Sequence, residues 1–192
     1  MNCPILSWAK SLPVERASDV HERQELEQYF FDDATLDHLA RFVARFPDPC
    51  CLCTPTLGEE LERRGVRTRT LDVDERFAYL RGFRHYDLTR PTWLGERYGI
   101  IVCDPPFLYV PLADLLRTVT ILSLEDYRQP LLINYLSARA TAITSMFSRF
   151  GLRPSGYRPG YRSIQNTGRN HMEFFSNLGP EYPLVPPPAV IR

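Results

Sequence analysis

Apolar positions along the chain fall into short runs whose spacing switches between helical and extended periods. Leu36, Leu39, Ala40, Val43 and Phe46 lie on one helical stripe, with Asp32 or Asp33 placed to cap it and Pro47 to stop it. Cys50 to Thr54 is an apolar run ended by Pro55, and Gly58 to Arg64 reads as a charged helix closed by Gly65. Arg67 to Val73 predicts a second strand. Tyr98 to Cys103 is almost continuously apolar, the pattern of a strand buried on both faces. Leu112 to Leu124 predicts a helix, Pro130 to Tyr135 a strand, and Ser137 to Phe150 a helix ending at Gly151. A last pair of strands is expected near Gly156 to Ser163 and His171 to Ser176, around the turn formers Asn166, Gly168 and Asn170. Strands alternating with helices predict an α/β fold, a central sheet with helices on both faces.

Outside this alternation lie an N-terminal extension over residues 1–25, interrupted by Pro4 and Pro13, and a proline-rich tail over residues 179–192, expected to run extended against the body. The chain of 192 residues is 44% hydrophobic, enough for a single core. Its formal net charge is zero, which favours neither a disordered chain nor a globally basic nucleic-acid binder. The charges are unevenly placed, however. Eight acids face Lys10, Arg16 and Arg23 before residue 41, whereas seven arginines from Arg139 onward face only Glu173 and Glu181. Such asymmetry marks either a basic face for an anionic partner or an ordinary solvated surface. Lys10 is the only lysine, a bias that a GC-rich genome produces without functional pressure.

The five cysteines, Cys3, Cys50, Cys51, Cys53 and Cys103, have no disulfide-framework spacing. Cys51 and Cys53 would share one strand face, but no second cysteine or histidine pair stands at zinc-site spacing, so no metal is expected. No apolar run reaches membrane-spanning length, and no membrane association is expected. A reducing, cytoplasmic location follows as an expectation.

An open α/β sheet binds ligands beyond the carboxyl ends of its strands, so the residues that follow each predicted strand are the candidates for chemistry. These are Thr54-Pro55-Thr56-Leu57-Gly58, then Asp72 to Asp74, then Asp104-Pro105-Pro106-Phe107. The last is the most informative. Two prolines fix φ, remove two amide donors and hold Asp104 away from helical geometry. The Asp104 carboxylate and the Pro105 carbonyl can then accept both hydrogens of one NH₂ group, while Phe107 offers a face for a planar base. Drawing both N–H bonds toward acceptors keeps the nitrogen lone pair out of a ring and makes it nucleophilic. Read without further context, the tetrapeptide is equally a proline-stiffened turn whose aspartate caps a helix.

Asp104-Pro105-Pro106-Phe107 resembles the Asp/Asn-Pro-Pro-aromatic signature of amino-methyltransferases that use S-adenosylmethionine. Gln28-Tyr29-Phe30-Phe31-Asp32 is similar to the aromatic segment that opens the catalytic domain in one branch of the N6-adenine methyltransferase-like family. That branch contains the zinc-finger CCHC-domain ribosomal-RNA adenine methyltransferase and the elongation factor 1A lysine methyltransferase. Leu71 to Phe77 and His85-Tyr86-Asp87 look like its acidic strand end and following aspartate. The resemblance runs in order over about residues 26 to 176 and implies a Rossmann-like class I methyltransferase domain over residues 26–178, with a mostly parallel sheet and a C-terminal β-hairpin. It implies S-adenosylmethionine as cofactor, held by Tyr29, Phe30, Thr54, Pro55, Asp72, Asp74, Asp87 and Asp104. Asp72, at a strand end, is the better candidate for the ribose hydroxyls and Asp74 the alternative; Asp87 resembles the residue that bonds the cofactor adenine, or is a solvated helix cap. The first loop departs from general methyltransferases in lacking a glycine-rich turn, which leaves close backbone approach to the cofactor less assured.

The catalytic residues implied are Asp104, Pro105, Pro106 and Phe107, and the expected acceptor is adenine N6 in RNA, with DNA less favoured. Phe107, Arg158, Arg162 and Asn170 are the candidate substrate contacts, because arginines interleaved with tyrosines bind phosphate and stack on splayed bases. The same segment also suits the exposed side of a terminal hairpin. Two alternatives stand beside this reading: transfer to a protein lysine of an elongation factor-like partner, with Tyr29, Phe30, Phe31 and Phe107 as the cage, and a non-catalytic binding module that keeps the fold.

Overall fold

Asp32 starts the first helix, α1 (Asp33–Val43): its carboxylate accepts the Thr35 N–H at 2.8 Å and so satisfies one of the free amides of the first turn. The structure, a computed structural model, describes residues 20–168 and 171–185. Most of the expected N-terminal extension, the end of the proline-rich tail and the candidate contact Asn170 lie outside the described residues.

Strand β1 (Cys50–Leu52) leads into α2 (Pro55–Arg63), which begins three residues before the pattern predicts. Pro55 is the cause, since its ring presets helical φ at a first-turn position where no N–H is needed. Gly65, at φ +77°, follows the helix end as expected. The chain continues through β2 (Arg69–Asp72), β3 (Phe83–His85), β4 (Ile101–Cys103), α3 (Leu112–Leu122), β5 (Leu131–Leu136), α4 (Ala140–Met146), β6 (Arg153–Pro154) and β7 (Met172–Ser176). The seven strands form one sheet in the order β3-β2-β1-β4-β5-β7-β6, parallel from β3 to β5, with β7 antiparallel to both neighbours.

Successive side chains of the central strands alternate between two cores, as the period of two requires. Cys50, Leu52, Ile101, Cys103 and Ile133 pack with Leu115, Val119 and Leu122 of α3 and Ile143 of α4. Cys51, Val102 and Leu132 pack on the other face with Leu39 and Val43 of α1 and Leu57 and Leu61 of α2. Both faces are therefore covered, which explains the continuous apolar runs of β1, β4 and β5. Helix α2 approaches the sheet so closely that a Cβ on Gly58 would lie 2.1 Å from the Thr70 hydroxyl of β2.

One element was not expected and two expectations are corrected. Strand β3 was not legible, because a three-residue edge strand with two exposed positions carries no alternation. The helix expected over Ser137 to Phe150 is broken: single 3-10 turns at Ser137–Arg139 and Ser148–Phe150 flank the short α4. The strand expected near Gly156 to Ser163 is displaced to Arg153–Pro154, a sheet-edge position that tolerates a proline. The connection to β7 is irregular and is held by Asn166, which donates to the Pro159 and Met172 carbonyls. Beyond β7, Leu184 is buried, its carbonyl is 2.6 Å from His38 Nε2, and Arg45 stacks on Tyr182.

Candidate active site

Strand order reverses between β1 and β4, and a crevice opens there at the carboxyl ends of the strands. Leu52 pairs with both Leu71 and Cys103, so the next residue of each strand, Cys53, Asp72 and Asp104, reaches the same edge. Around that edge lies a cavity of about 300 Å³.

The first loop makes its tight turn without glycine. Cys53 itself adopts φ +54°, a left-handed conformation that costs a non-glycine residue roughly 1–2 kcal/mol, and donates its N–H to Leu71 O at 2.8 Å. Because the chain leaves the strand here, Cys53 packs on the face opposite Cys51, and the shared face expected for these two is not formed. The loop lines the cavity through Cys53, Thr54, Pro55 and Thr56. Thr54 Oγ1 is buried without a partner at the start of α2, where first-turn amides have no intrahelical acceptors.

Asp72 lines the cavity and uses one carboxylate oxygen for the Asp74 N–H at 2.8 Å. Burial pushes its carboxyl up to about 6. Asp74 turns away from the cavity. Desolvation raises its carboxyl, but bonds from Arg76 at 2.6 Å and Gln28 at 3.0 Å outweigh that and hold it below the ordinary value. Asp87 also lies outside the cavity, closing a turn on the Thr89 N–H and hydroxyl at 2.8 and 2.7 Å. Neither Asp74 nor Asp87 lines the cavity: Arg76 and Gln28 engage both oxygens of Asp74, whereas the Asp87 turn uses only Oδ1.

Asp104 meets a polar network at the base of the cavity. Its Oδ1 accepts from Asn134 Nδ2 at 2.8 Å, and the same amide nitrogen lies 2.6 Å from the Tyr161 hydroxyl, while Asn134 Oδ1 is buried without a partner. Desolvation lifts the Asp104 carboxyl to about 7, against the lowering effect of the Asn134 bond and with a further rise from the charge of Glu27. Pro106 O is engaged by the Tyr109 and Val110 N–H groups, so the tetrapeptide folds into a turn that leaves the Pro105 carbonyl outside the hydrogen-bonded set of the described residues. Phe107 lines the cavity and packs edge-on against Tyr135, with ring centroids 6.3 Å apart.

Tyr29, Phe30 and Phe31 form another wall, and Phe31 packs on Tyr161 at 5.5 Å. Arg158 and Arg162 do not line the cavity. Arg158 is exposed; Arg162 pairs with Asp33 at 3.6 Å and stacks over Phe30 at 6.0 Å. Among the described lining residues the charged side chains are Glu27, Asp72 and Asp104, all carboxylates. Glu27 and Asn134 were missed by sequence reasoning, and Tyr161 stood out only as one of the tyrosines interleaved with the basic segment. A single amide inside the apolar run Leu131–Leu136 was the available signal for Asn134; Glu27 carried none beyond its place before the aromatic segment.

The donor set fits S-adenosylmethionine. Carboxylates and aromatic faces suit a sulfonium, Asp72 suits ribose hydroxyls, and the unpartnered Thr54 hydroxyl with the first turn of α2 suits a carboxylate. Among the described residues no cluster of three or more His, Cys, Asp or Glu side chains is arranged to hold a metal, and no helix is long and apolar enough to cross a membrane.

Fold and site define the class of a Rossmann-like methyltransferase. The family described as "Probable N6-adenine methyltransferase" matches residues 22–179, and the chain belongs to that family. It is an S-adenosylmethionine-dependent methyltransferase. Among solved structures it is similar to a Pyrococcus horikoshii protein to which RNA methyltransferase activity is ascribed, at 12% identity and TM-score 0.59 over 81% of this chain and 88% of that one. It also resembles a branched-chain polyamine synthase of Thermus thermophilus in complex with N4-aminopropylspermidine and 5′-methylthioadenosine, at 14% identity and TM-score 0.57, covering 83% of this chain and 60% of that one. A TehB-like S-adenosylmethionine-dependent methyltransferase of Corynebacterium glutamicum aligns at 14% identity and TM-score 0.50, over 72% and 86% of the two chains. At these identities the likeness is one of fold. No protein of curated function matches the sequence.

Proposed function

We propose that the acceptor is the N6 amine of adenine in RNA. The observation that carries this reading is that Asp104, Pro105 and Phe107 line the same cavity as Thr54 and Asp72. The bound cofactor supplies an electrophilic methyl group. Thr54, Pro55, Asp72, Tyr29 and Phe30 hold it, and Asp104 and Pro105 accept the two amine hydrogens and aim the nitrogen lone pair. Pro106 stiffens the turn, and Phe107 stacks on the base. Rate gain comes from positioning in a water-poor cavity, with no covalent enzyme intermediate. The charged side chains of the lining are all carboxylates and repel phosphate, so the RNA backbone is held outside by Arg158 and Arg162, with Asn170 as a further contact. An unpaired adenine is the cheaper substrate, since a paired one must be flipped out; a single-stranded DNA adenine meets the same requirement.

The same lining favours a second reading, a protein lysine, because three carboxylates attract an ammonium group, and the Asp104 carboxylate, with its raised proton affinity, takes the proton that the amine must lose before it accepts methyl. Transfer of labelled methyl from S-adenosylmethionine into a lysate of the source cell, partitioned by ribonuclease, deoxyribonuclease and protease, separates the two. Ribonuclease-sensitive label that disappears with Asp104→Asn is the expected result. Protease-sensitive label overturns the RNA acceptor in favour of lysine.

A further inference from the structure

Glu27 sits at the end of a single 3-10 turn, Gln24–Leu26, in a left-handed conformation at φ +51°. One of its carboxylate oxygens, Oε2, accepts the Leu108 N–H at 2.8 Å, so the segment before the aromatic wall is clasped onto the turn that carries Asp104 to Phe107. Its other oxygen, Oε1, is buried and has no partner. A carboxylate oxygen that is removed from water and left unpaired is costly, and its side chain lines the cavity beside Asp104. Clasping Leu108 requires only one oxygen and a neutral side chain would serve. The neighbouring Tyr109 N–H also favours the charged carboxylate, against the rise that burial causes, but Oε1 itself has no hydrogen-bond partner.

We propose that Glu27 is a second acceptor-side carboxylate, whose free Oε1 faces the positive charge that develops on the amino nitrogen as it gains the methyl group. This rests on the amine-transfer reading but holds for adenine and lysine alike, since both nitrogens become more positive during transfer. Preorganised charge aimed at such a centre is among the larger contributions to catalysis. The electrostatic coupling between Glu27 and Asp104 agrees with the two groups sharing one space.

Sinefungin, the cofactor analogue with an amine-bearing carbon in place of the methyl-bearing sulfur, places a cationic amine toward the acceptor side; S-adenosylhomocysteine has none. The experiment compares the Kd of both ligands by calorimetry for the wild-type chain, Glu27→Gln and Asp104→Asn. Gln keeps an amide oxygen for the Leu108 N–H. The expected result is a wild-type preference for sinefungin that drops by about tenfold in Glu27→Gln, the loss of one charge-assisted hydrogen bond, with S-adenosylhomocysteine binding unchanged. A clasping role alone weakens both ligands together and leaves the ratio intact. An unchanged ratio, or a wild-type chain that shows no preference, overturns the proposal. No acceptor is present in this experiment, so protein-borne label in the lysate assay overturns the RNA acceptor and leaves Glu27 standing.

Discussion

Burial that lifts the Asp104 carboxyl to about 7 makes this residue costly for the fold and useful for the reaction. Its folded-state value lies above the ordinary 3.8, so the native chain holds the proton more tightly than the unfolded chain. The resulting stabilisation is fully present below about pH 4 and is lost as pH rises through about 7. Asp104→Asn keeps an oxygen for Asn134 Nδ2 and removes the titration. It is expected to raise the thermal midpoint at pH 8, with the difference shrinking toward pH 5, while methyl transfer falls by about 10²-fold or more. Thermal melts at the two pH values and the labelled-methyl assay check both halves. A variant that is no more stable at pH 8 would contradict the buried, proton-retaining Asp104.

At the scale of elements, the turn from β1 into α2 sets the distance between helix and cofactor site. Glycine occurs where the helix crosses β2, at Gly58, rather than in the loop itself. Gly58→Ala is expected to destabilise the protein by about 1–3 kcal/mol, as overpacking against Thr70 pushes α2 off the sheet, and to weaken cofactor binding because Thr54 and Pro55 move with it. Urea denaturation and calorimetric titration with S-adenosylhomocysteine measure the two effects; full stability in the variant would show that α2 can shift without cost. Elements with a long period or a strong stop signal were legible: α1 from its stripe and Asp32 cap, β4 from its apolar run. Those that tertiary context shapes were not. Strand β3 is defined by pairing with β2, and the helix expected through Ser137 to Phe150 breaks where the chain must keep β5 joined to β7.

Across the whole molecule the charges sort by position although they sum to zero. The cavity collects carboxylates, and the exposed Arg158 with the peripheral Arg162 lie outside it on the segment that closes against Phe31 through Tyr161. Changing Arg158 and Arg162 together to Glu is expected to weaken RNA binding and to reduce the salt slope of log Kd by roughly 1–2, with cofactor affinity unchanged. Filter binding of total cellular RNA at several salt concentrations tests this, and an unaltered affinity at moderate salt removes the basic segment from substrate binding.

Sequence alone determined the alternation that builds the sheet, the placement of Thr54, Asp72 and Asp104 at successive strand ends, and the proline-stiffened acceptor turn, because each depends on neighbours a few residues apart. It also carried the resemblance that points to the family. Tertiary structure decided which acids remain free to act. Asp72, Asp74 and Asp87 all follow predicted strand ends or turns, yet an arginine two residues on engages both oxygens of Asp74 and a threonine turn engages one oxygen of Asp87. It decided equally that Glu27, Asn134 and Tyr161 join the site: Asn134 bonds both Asp104 and Tyr161 across tens of residues of chain, and Glu27 lines the same cavity and bonds Leu108. Periodicity records burial, whereas hydrogen-bond partners distant in sequence leave no mark on local pattern.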